Sequence, residues 1–494
     1  MAEAVPKPDY IFDRAVEWQA LAEFATDDRL GAALGMVSGR RRQGKTLLLE
    51  SMCEELGGLY FTVPEDMPAS EHLRRLAAAL GAFTGGLPPR LDSWDQAIDA
   101  LFGLGTGERP VLVVLDEFPY MARSTQGLAS IIQHALSPRG MARTRSRTRL
   151  ILCGSSISFM SELVSGSAAL FGRARLSLMV RAFDFRAAAR FWGVSHDLPL
   201  AAALFAIVGG TPAYIEYASG VPGSLGELDE WVTRNLLNST NMLFRQPRML
   251  LSEDSAFSQI GMYGTVLSAI AEGRRTVSGI AQRVGRSTSD VNHYVKGLAD
   301  GGFLWHVPDA FRANRAEYQI TDALIRFHHA IVYPNWSRLD LYRPERAARL
   351  WAESAETFRS QVVGPTFEDM CRVWTQEFAS GDTLGGQPDI VSHGVLNDPV
   401  GRSQRRLDIV VRDSRSGLVA IGEAKSGEVI GHGHLKRLRE AVDLLRTQGH
   451  VASDAHPVLL FFSAVGFTPE LAAEAANSEG TVQLIGLERL YSGS

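Results

Sequence analysis

The sequence predicts a multidomain α/β protein, and three stretches carry that prediction. Leu34 to Ser38 is a short apolar run that enters the glycine loop Gly39-Arg40-Arg41-Arg42-Gln43-Gly44, followed by a helical stretch from Lys45 to Leu56. Val111 to Leu115 is an unbroken apolar run ending in Asp116-Glu117, the pattern of a strand buried on both faces of a parallel sheet. Toward the C-terminus, residues 407–412 and 418–425 read as two strands around a polar turn, behind a long helical stretch. At 494 residues, and roughly 150 residues per domain, the chain has room for about three domains.

Composition narrows the class. A hydrophobic share of 45% with 21% charged residues is that of a folded globular protein rather than a disordered one. The formal charge of -5 gives no global attraction to nucleic acid, so such binding needs a local patch. Arg139, Arg143, Arg145, Arg147 and Arg149 form one candidate, and a solvated loop is the competing reading. Cys53, Cys153 and Cys371 are too far apart for a CxxC metal site and odd in number, which argues against a disulfide framework. No basic segment followed by an apolar run opens the chain, and no stretch approaches the ~18 apolar residues of a span. The expectation is a cytoplasmic protein with no membrane partner.

Strand, glycine loop and helix, in that order, make a phosphate-binding loop. Gly39, Arg40, Arg41, Arg42, Gln43, Gly44, Lys45 and Thr46 would supply backbone N–H groups at a helix N-terminus, the lysine reaching outer phosphates and the threonine hydroxyl facing Mg2+. Asp116 would hold the same Mg2+, and Glu117 would orient or activate the attacking water. A third apolar strand, Leu150 to Cys153, ends in Gly154-Ser155-Ser156 and would bring Ser155 to the γ-phosphate or to that water. In Leu170-Phe171-Gly172-Arg173 the arginine can act in cis or across a subunit interface on developing charge, or serve as an ordinary salt-bridge partner.

Residues 258 to 306 hold three helical stretches, 263–272, 276–284 and 287–300, with apolar positions at helical spacing. A strand at 301–307 with a return near 318–320 completes a winged helix-turn-helix pattern. Ser289, Asn292, His293 and Lys296 fall on the exposed face of the third helix, flanked by Arg283 and Arg286, where they can meet DNA. Protein docking is the alternative use of such a module.

In the last third, 358–377 reads as a helix interrupted at Gly364-Pro365, with Thr366 capping its second half and carrying Glu368. The register of the following hairpin decides its chemistry, because a one-residue slip turns a side chain to the other face. With Asp408 opposite Glu423, two carboxylates and Lys425 share a face, and a divalent cation between them can take Glu368 as a further ligand. With Asp408 opposite Gly422, that site does not exist. His432 and His434 on a glycine-rich stretch read as a solvent-exposed turn, and His328-His329 need no special role.

These motifs resemble known families. Ile11-Phe12-Asp13-Arg14 with Glu17 and Leu21, the phosphate loop, the Leu-Asp-Glu strand, Cys-Gly-Ser-Ser, Leu-Phe-Gly-Arg and Gly209-Gly210-Thr211-Pro212-Ala213-Tyr214 resemble, in order, the archaeal-type P-loop ATPases of the AAA+ and signal-transduction branch, over roughly residues 10 to 245. The resemblance implies an ATPase core with a helical lid. Asp408, then Glu423-Ala424-Lys425, with Glu368 on a preceding helix, are similar to restriction-endonuclease-like domains, over about residues 318 to 465, with Leu407 in place of that signature's proline. There the resemblance implies catalytic Asp408, Glu423 and Lys425, with metal on Glu368, Asp408 and Glu423. The bridge from Tyr318 to Asn335 resembles the segment that precedes such domains in the ATPase family.

The expected organisation is therefore a P-loop NTPase core (10–190), helical lid (191–250), winged helix (255–318), helical bridge (319–355) and restriction-endonuclease-like α/β domain (356–494). The expected function is ATP binding and hydrolysis with Mg2+, coupled to DNA binding or processing, metal-dependent cleavage included. The alternative is a nucleotide-switched regulatory or scaffold protein whose nuclease-like domain docks DNA or protein. A homo-oligomer or a protein partner fits either.

Overall fold

The computed structural model describes residues 5–166, 168–253, 257, 259–398 and 401–494, apart from the side chains of 141 and 313–316; the expected start of the winged segment, residue 255, lies outside them. The chain divides into two compact units, Met1–Ala182 and Phe183–Ser494. The second unit thus begins eight residues before the expected lid.

The first unit is built on five parallel strands: β1 (Ala33–Ser38), β2 (Leu59–Thr62), β3 (Val111–Asp116), β4 (Thr148–Gly154) and β5 (Ala174–Met179), in the order β2-β3-β4-β1-β5. Alternation along β1 explains its two-faced burial. Leu34 and Met36 pack with Leu76, Trp94 and Ile98 on one face, and Ala33 and Val37 pack with Trp18, Leu21, Leu48 and Met52 on the other. Parallel pairing then brings the carboxyl ends of β1, β3 and β4 to one edge, where an open α/β sheet places its ligands. The phosphate loop, Asp116-Glu117 and Ser155 all follow that edge.

Topology corrects two expectations here. Arg173 precedes β5, whose first residue, Ala174, pairs with Leu34 at the amino end of β1, whereas the loop follows Ser38, which pairs with Met179. Four residues of strand, roughly 13 Å, separate those ends, which sets Arg173 apart from the glycine loop of its own chain and leaves its readings across a subunit interface or as a salt-bridge partner. The arginine run is not a uniform patch either. Arg149 is fully buried and donates to the carbonyls of Asp27, Arg29 and Gly31, while Arg147 donates to those of Asp28 and Gly107. Both tie loops to the sheet, leaving Arg139, Arg143 and Arg145 exposed.

In the second unit, helices Leu198–Val208, Leu228–Asn235 and Met242–Ser252, from the expected lid, share one apolar core with helices Ile260–Ala271, Val277–Val284 and Thr288–Asp300 and with the bridge through Val362. The three-helix reading holds closely: Ser287 caps the third helix by accepting the Asp290 N–H at 3.1 Å. The hairpin that follows is β6 (Leu304–Asp309) and β7 (Arg312–Ile320), pairing Trp305 with Gln319.

That hairpin joins a sheet of seven strands. With β8 (Ile390–Asp398), β9 (Ser403–Asp413), β10 (Gly417–Lys425), β11 (Val458–Ser463) and β12 (Val482–Ile485), the order is β12-β11-β10-β9-β8-β6-β7, and Asp309 pairs with His393 to join β6 to β8. The two segments expected as separate modules thus share one sheet. Helix Gly364–Glu377 covers one face through Phe367, Met370 and Trp374, and helix His432–Thr447 covers the other through Leu435, Leu438 and Leu445. His432 therefore opens a helix rather than lying in a turn. The break at Gly364-Pro365 is a widened helical turn over Phe358–Val363, and Thr366 caps nothing. Its hydroxyl donates to the Val362 carbonyl and accepts from Arg326.

Candidate functional site

At the carboxyl edge of the first unit's sheet, backbone conformation shapes the loop. Gly39 (φ 152°) has no room for a side chain, since a Cβ there would lie 2.3 Å from the Val180 carbonyl oxygen, and Gly44 (φ 85°) opens the helix N-terminus. Gln43 folds back to accept the Arg40 N–H at 2.9 Å, and Lys45 Nζ donates to the Arg40 carbonyl at 2.9 Å. Burial pulls the Lys45 ammonium below its ordinary pKa, opposed by Cys153, Asp116 and Glu117; anionic oxygens placed beside it would reverse that loss of solvation.

The first helical residues reach the second strand. Thr46 Oγ1 donates to Asp116 Oδ2 at 3.0 Å, and Asp116 is only 3% exposed. A hydroxyl and a carboxylate in contact beside a phosphate loop are the oxygen donors that Mg2+ takes in such sites, so the donor set fits that ion. Next to them, Glu117 adopts left-handed backbone angles (φ 53°, ψ 38°), which turn its side chain off the strand. Ser155 donates to both of its carboxylate oxygens at 3.1 Å. Burial, then Asp116, raises the Glu117 pKa, the direction that makes a carboxylate a better proton acceptor. Ser155, expected at the phosphate or water, is thus found holding Glu117.

Two tyrosines escaped the sequence reading, and a third residue, Arg14, was read there without a contact of its own. Tyr60, on β2 beside β3, donates to Asp116 Oδ2 at 2.6 Å, and Tyr120 receives Arg41. Arg14 fixes the loop from outside by donating to the carbonyls of Gln43 (3.1 Å) and Arg181 (2.7 Å). Only the Arg14 motif left a trace in sequence, as part of the ordered set; tyrosines at such positions carry no local signature.

In the second unit the hairpin register has a definite cause. Leu418 pairs with Arg412 but Ala420 pairs with Val411, so Val419 is an extra residue bulged out of β10. Past the bulge Gly422 pairs with Ile409, and one further step sets Asp408 opposite Glu423; without the bulge it would face Gly422. The four candidate side chains fall in two ion-pair groups, linked through the charge that Lys425 presents to Asp408. Arg406 bridges Glu317 (2.9 Å), Glu368 (3.4 Å) and Asp408 (3.5 Å), while Lys425 lies 3.2 Å and Arg437 3.3 Å from Glu423. Burial and the Glu368 charge push the Asp408 carboxyl up to about 6, against the Ala424 N–H and Lys425.

Basic side chains pair with each carboxylate of the metal reading: Arg406 with Glu368 and Asp408, and Lys425 and Arg437 with Glu423. Among the described residues no three His, Cys, Asp or Glu groups come together as metal ligands. The expected set of Glu368, Asp408 and Glu423 therefore does not fit a divalent ion in this conformation, its carboxylates being paired with Arg406, Lys425 and Arg437. His432 and His434 face Glu474 and Glu428.

On the third helix of the expected winged segment, Ser289, Asn292, His293 and Lys296 are exposed, as is Arg286. Arg283 is instead held by both oxygens of Glu272, at 2.5 and 2.7 Å. No helix among the described residues is long and apolar enough to cross a membrane.

No protein family model matches the chain. A curated relative, the uncharacterized protein MJECL04 of Methanocaldococcus jannaschii, is 24% identical over 336 residues, covering 66% of this chain and 70% of that protein. Among solved structures, the Walker-type ATPase paby2304 of Pyrococcus abyssi is similar at 18% identity over 67% of this chain and 99% of its own, with a TM-score of 0.46. The ORC2 protein of Aeropyrum pernix, solved as ADPNP-ADP complexes, is similar at 14% identity over 72% and 97%, with a TM-score of 0.40. These are distant likenesses.

Proposed function

We propose that this chain binds ATP with Mg2+ at the carboxyl edge of its parallel sheet, hydrolyses it, and uses the nucleotide state to control DNA binding by its second unit. The contact between Thr46 and Asp116, with Glu117 held by Ser155 beside it, is the observation that carries the reading. The loop N–H groups and Lys45 bind the phosphates, and Thr46 and Asp116 hold the metal, whose charge offsets that of the phosphates. Glu117 accepts a proton as a water oxygen bonds to the γ-phosphorus. The bond from that phosphorus to the bridging oxygen breaks with its electron pair on the β-phosphate, leaving ADP and inorganic phosphate.

DNA enters the proposal through the third helix, read as the recognition helix of a winged module with Ser289, Asn292, His293 and Lys296 outward. The C-terminal sheet is read as restriction-endonuclease-like. Its arginine-paired carboxylates favour a second reading, in which that domain binds a partner without cutting. Two assays separate these. Lys45→Ala should abolish ATP binding, and Glu117→Gln should keep binding while turnover falls about 100-fold or more. Wild-type turnover surviving in Glu117→Gln would refute the assigned base. Magnesium- or manganese-dependent nicking of DNA that Asp408→Asn removes would overturn the non-cutting reading.

A further inference from the structure

The glycine loop carries a cation, Arg41, whose guanidinium is held beside the helix that follows Glu117. Arg41 Nη2 donates to the phenolic oxygen of Tyr120, and that hydroxyl donates to Glu65 Oε2 at 3.1 Å. Tyr120 lies on the helix that begins at Glu117, its N–H on the Glu117 carbonyl at 3.0 Å. Arg41 is thereby held next to the segment that bears the water-activating carboxylate. Its charge reaches all three neighbours: it opposes the rise that burial gives Glu117 and Tyr120 and adds to the fall that burial gives Lys45. Two of the other arginines are placed differently: Arg40 is buried, with its main chain engaged by Gln43 and Lys45, and Arg173 precedes the edge strand β5 at the amino end of β1.

We propose that Arg41 is the in-cis cation of the reaction, leaving Tyr120 to pair with the γ-phosphoryl oxygens as that group transfers, with Tyr120 and Glu65 as its resting place. The assignment rests on the ATP reading above. A guanidinium suits the role because its planar fork meets two oxygens at once, which a lysine ammonium does not. Its charge is needed most when the bond to the β-phosphate oxygen is breaking, so it should favour the transferring group over bound ATP or ADP.

Equilibrium binding by the full chain tests this without turnover. Dissociation constants are measured for magnesium-ADP, for magnesium-ADP with aluminium fluoride as the mimic of the transferring group, and for magnesium-ATP in a Glu117→Gln background. Arg41→Ala should weaken the aluminium fluoride complex by about 100-fold or more while ADP and ATP change by less than about 10-fold, in keeping with the ~10³ to 10⁵ such arginines contribute to rate. Arg41→Lys should recover part of the loss. Tyr120→Phe, which removes the hydroxyl that Arg41 contacts at rest, should leave the mimic's affinity within about threefold. Equal weakening of all three ligands, or no change in any, overturns the role of Arg41 while nucleotide binding sensitive to Lys45→Ala leaves the ATP reading standing. Absence of nucleotide binding by the wild-type chain overturns both.

Discussion

Replacing Arg149 by methionine should destabilise the first unit severely, although the residue lies in what reads in sequence as a basic surface run. The side chain is fully buried, and its guanidinium donates to the carbonyls of Asp27 (2.8 Å), Gly31 (2.8 Å) and Arg29 (2.6 Å), with the Asp27 carboxylate 3.9 Å away. Methionine approximates the stem volume and supplies no donor. The Arg29 carbonyl belongs to an exposed residue and can turn to water, whereas Gly31 is buried and cannot. A buried ionic partner removed in this way costs about 3 to 5 kcal/mol. For a unit of this size, at roughly 2 to 4 °C per kcal/mol, its melting transition should fall by about 10 °C. Calorimetry of the full chain measures it, with Arg145→Ala, an exposed neighbour, as the control expected within about 0.5 kcal/mol of wild type. An Arg149→Met protein melting within about 2 °C of wild type, or one matched by Arg145→Ala, would refute the structural role and return the run to candidacy as a nucleic-acid patch.

Further consequences can be checked separately. His329 is 3% exposed, and burial lowers its pKa to about 3. The unfolded chain takes up that proton first, so this contribution is complete above about pH 6.5 and is lost toward pH 3 at about 1.4 kcal/mol per unit. From pH 7 to 5 the second unit should lose about 2 kcal/mol by urea titration on this account, and His329→Gln should flatten the slope; an unchanged slope sinks the attribution. Tyr60→Phe removes a 2.6 Å donor from Asp116 and should alter the magnesium dependence of ATP binding by several-fold while ADP binding without metal stays unchanged. Lys296→Ala should reduce DNA affinity and lower the salt slope by about one, the signature of a lost phosphate contact; an unchanged slope argues for protein docking.

Legibility in sequence followed locality. The segment from Gly39 to Thr46 is contiguous, so its place between β1 and the helix Lys45–Leu56 followed from spelling and order. The strand ending at Asp116 was readable because an unbroken apolar run suits a strand buried on both faces of a parallel sheet. Three helices and a hairpin were equally plain, since periodicity and caps are local. β8 was missed because Ile390-Val391-Ser392-His393-Gly394 mixes polar residues and glycine with its apolar positions, and two of those polar residues, Ser392 and His393, are buried all the same.

What the amino-acid order determined by itself, then, was the strand, glycine loop and helix around Gly39 to Thr46 and the strand that ends at Asp116, together with the helix and strand content around Glu368, Asp408 and Lys425. Tertiary structure alone decided where charges ended up. Parallel pairing of β5 with β1 carried Arg173 to the amino end of β1, one bulged residue at Val419 turned Glu423 toward Asp408, and folding drew Arg406 among Glu317, Glu368 and Asp408 and Arg149 beneath the loop from Asp27 to Gly31. Strand order, register and long-range ion pairing depend on contacts between residues far apart in the chain, and no local pattern encodes them.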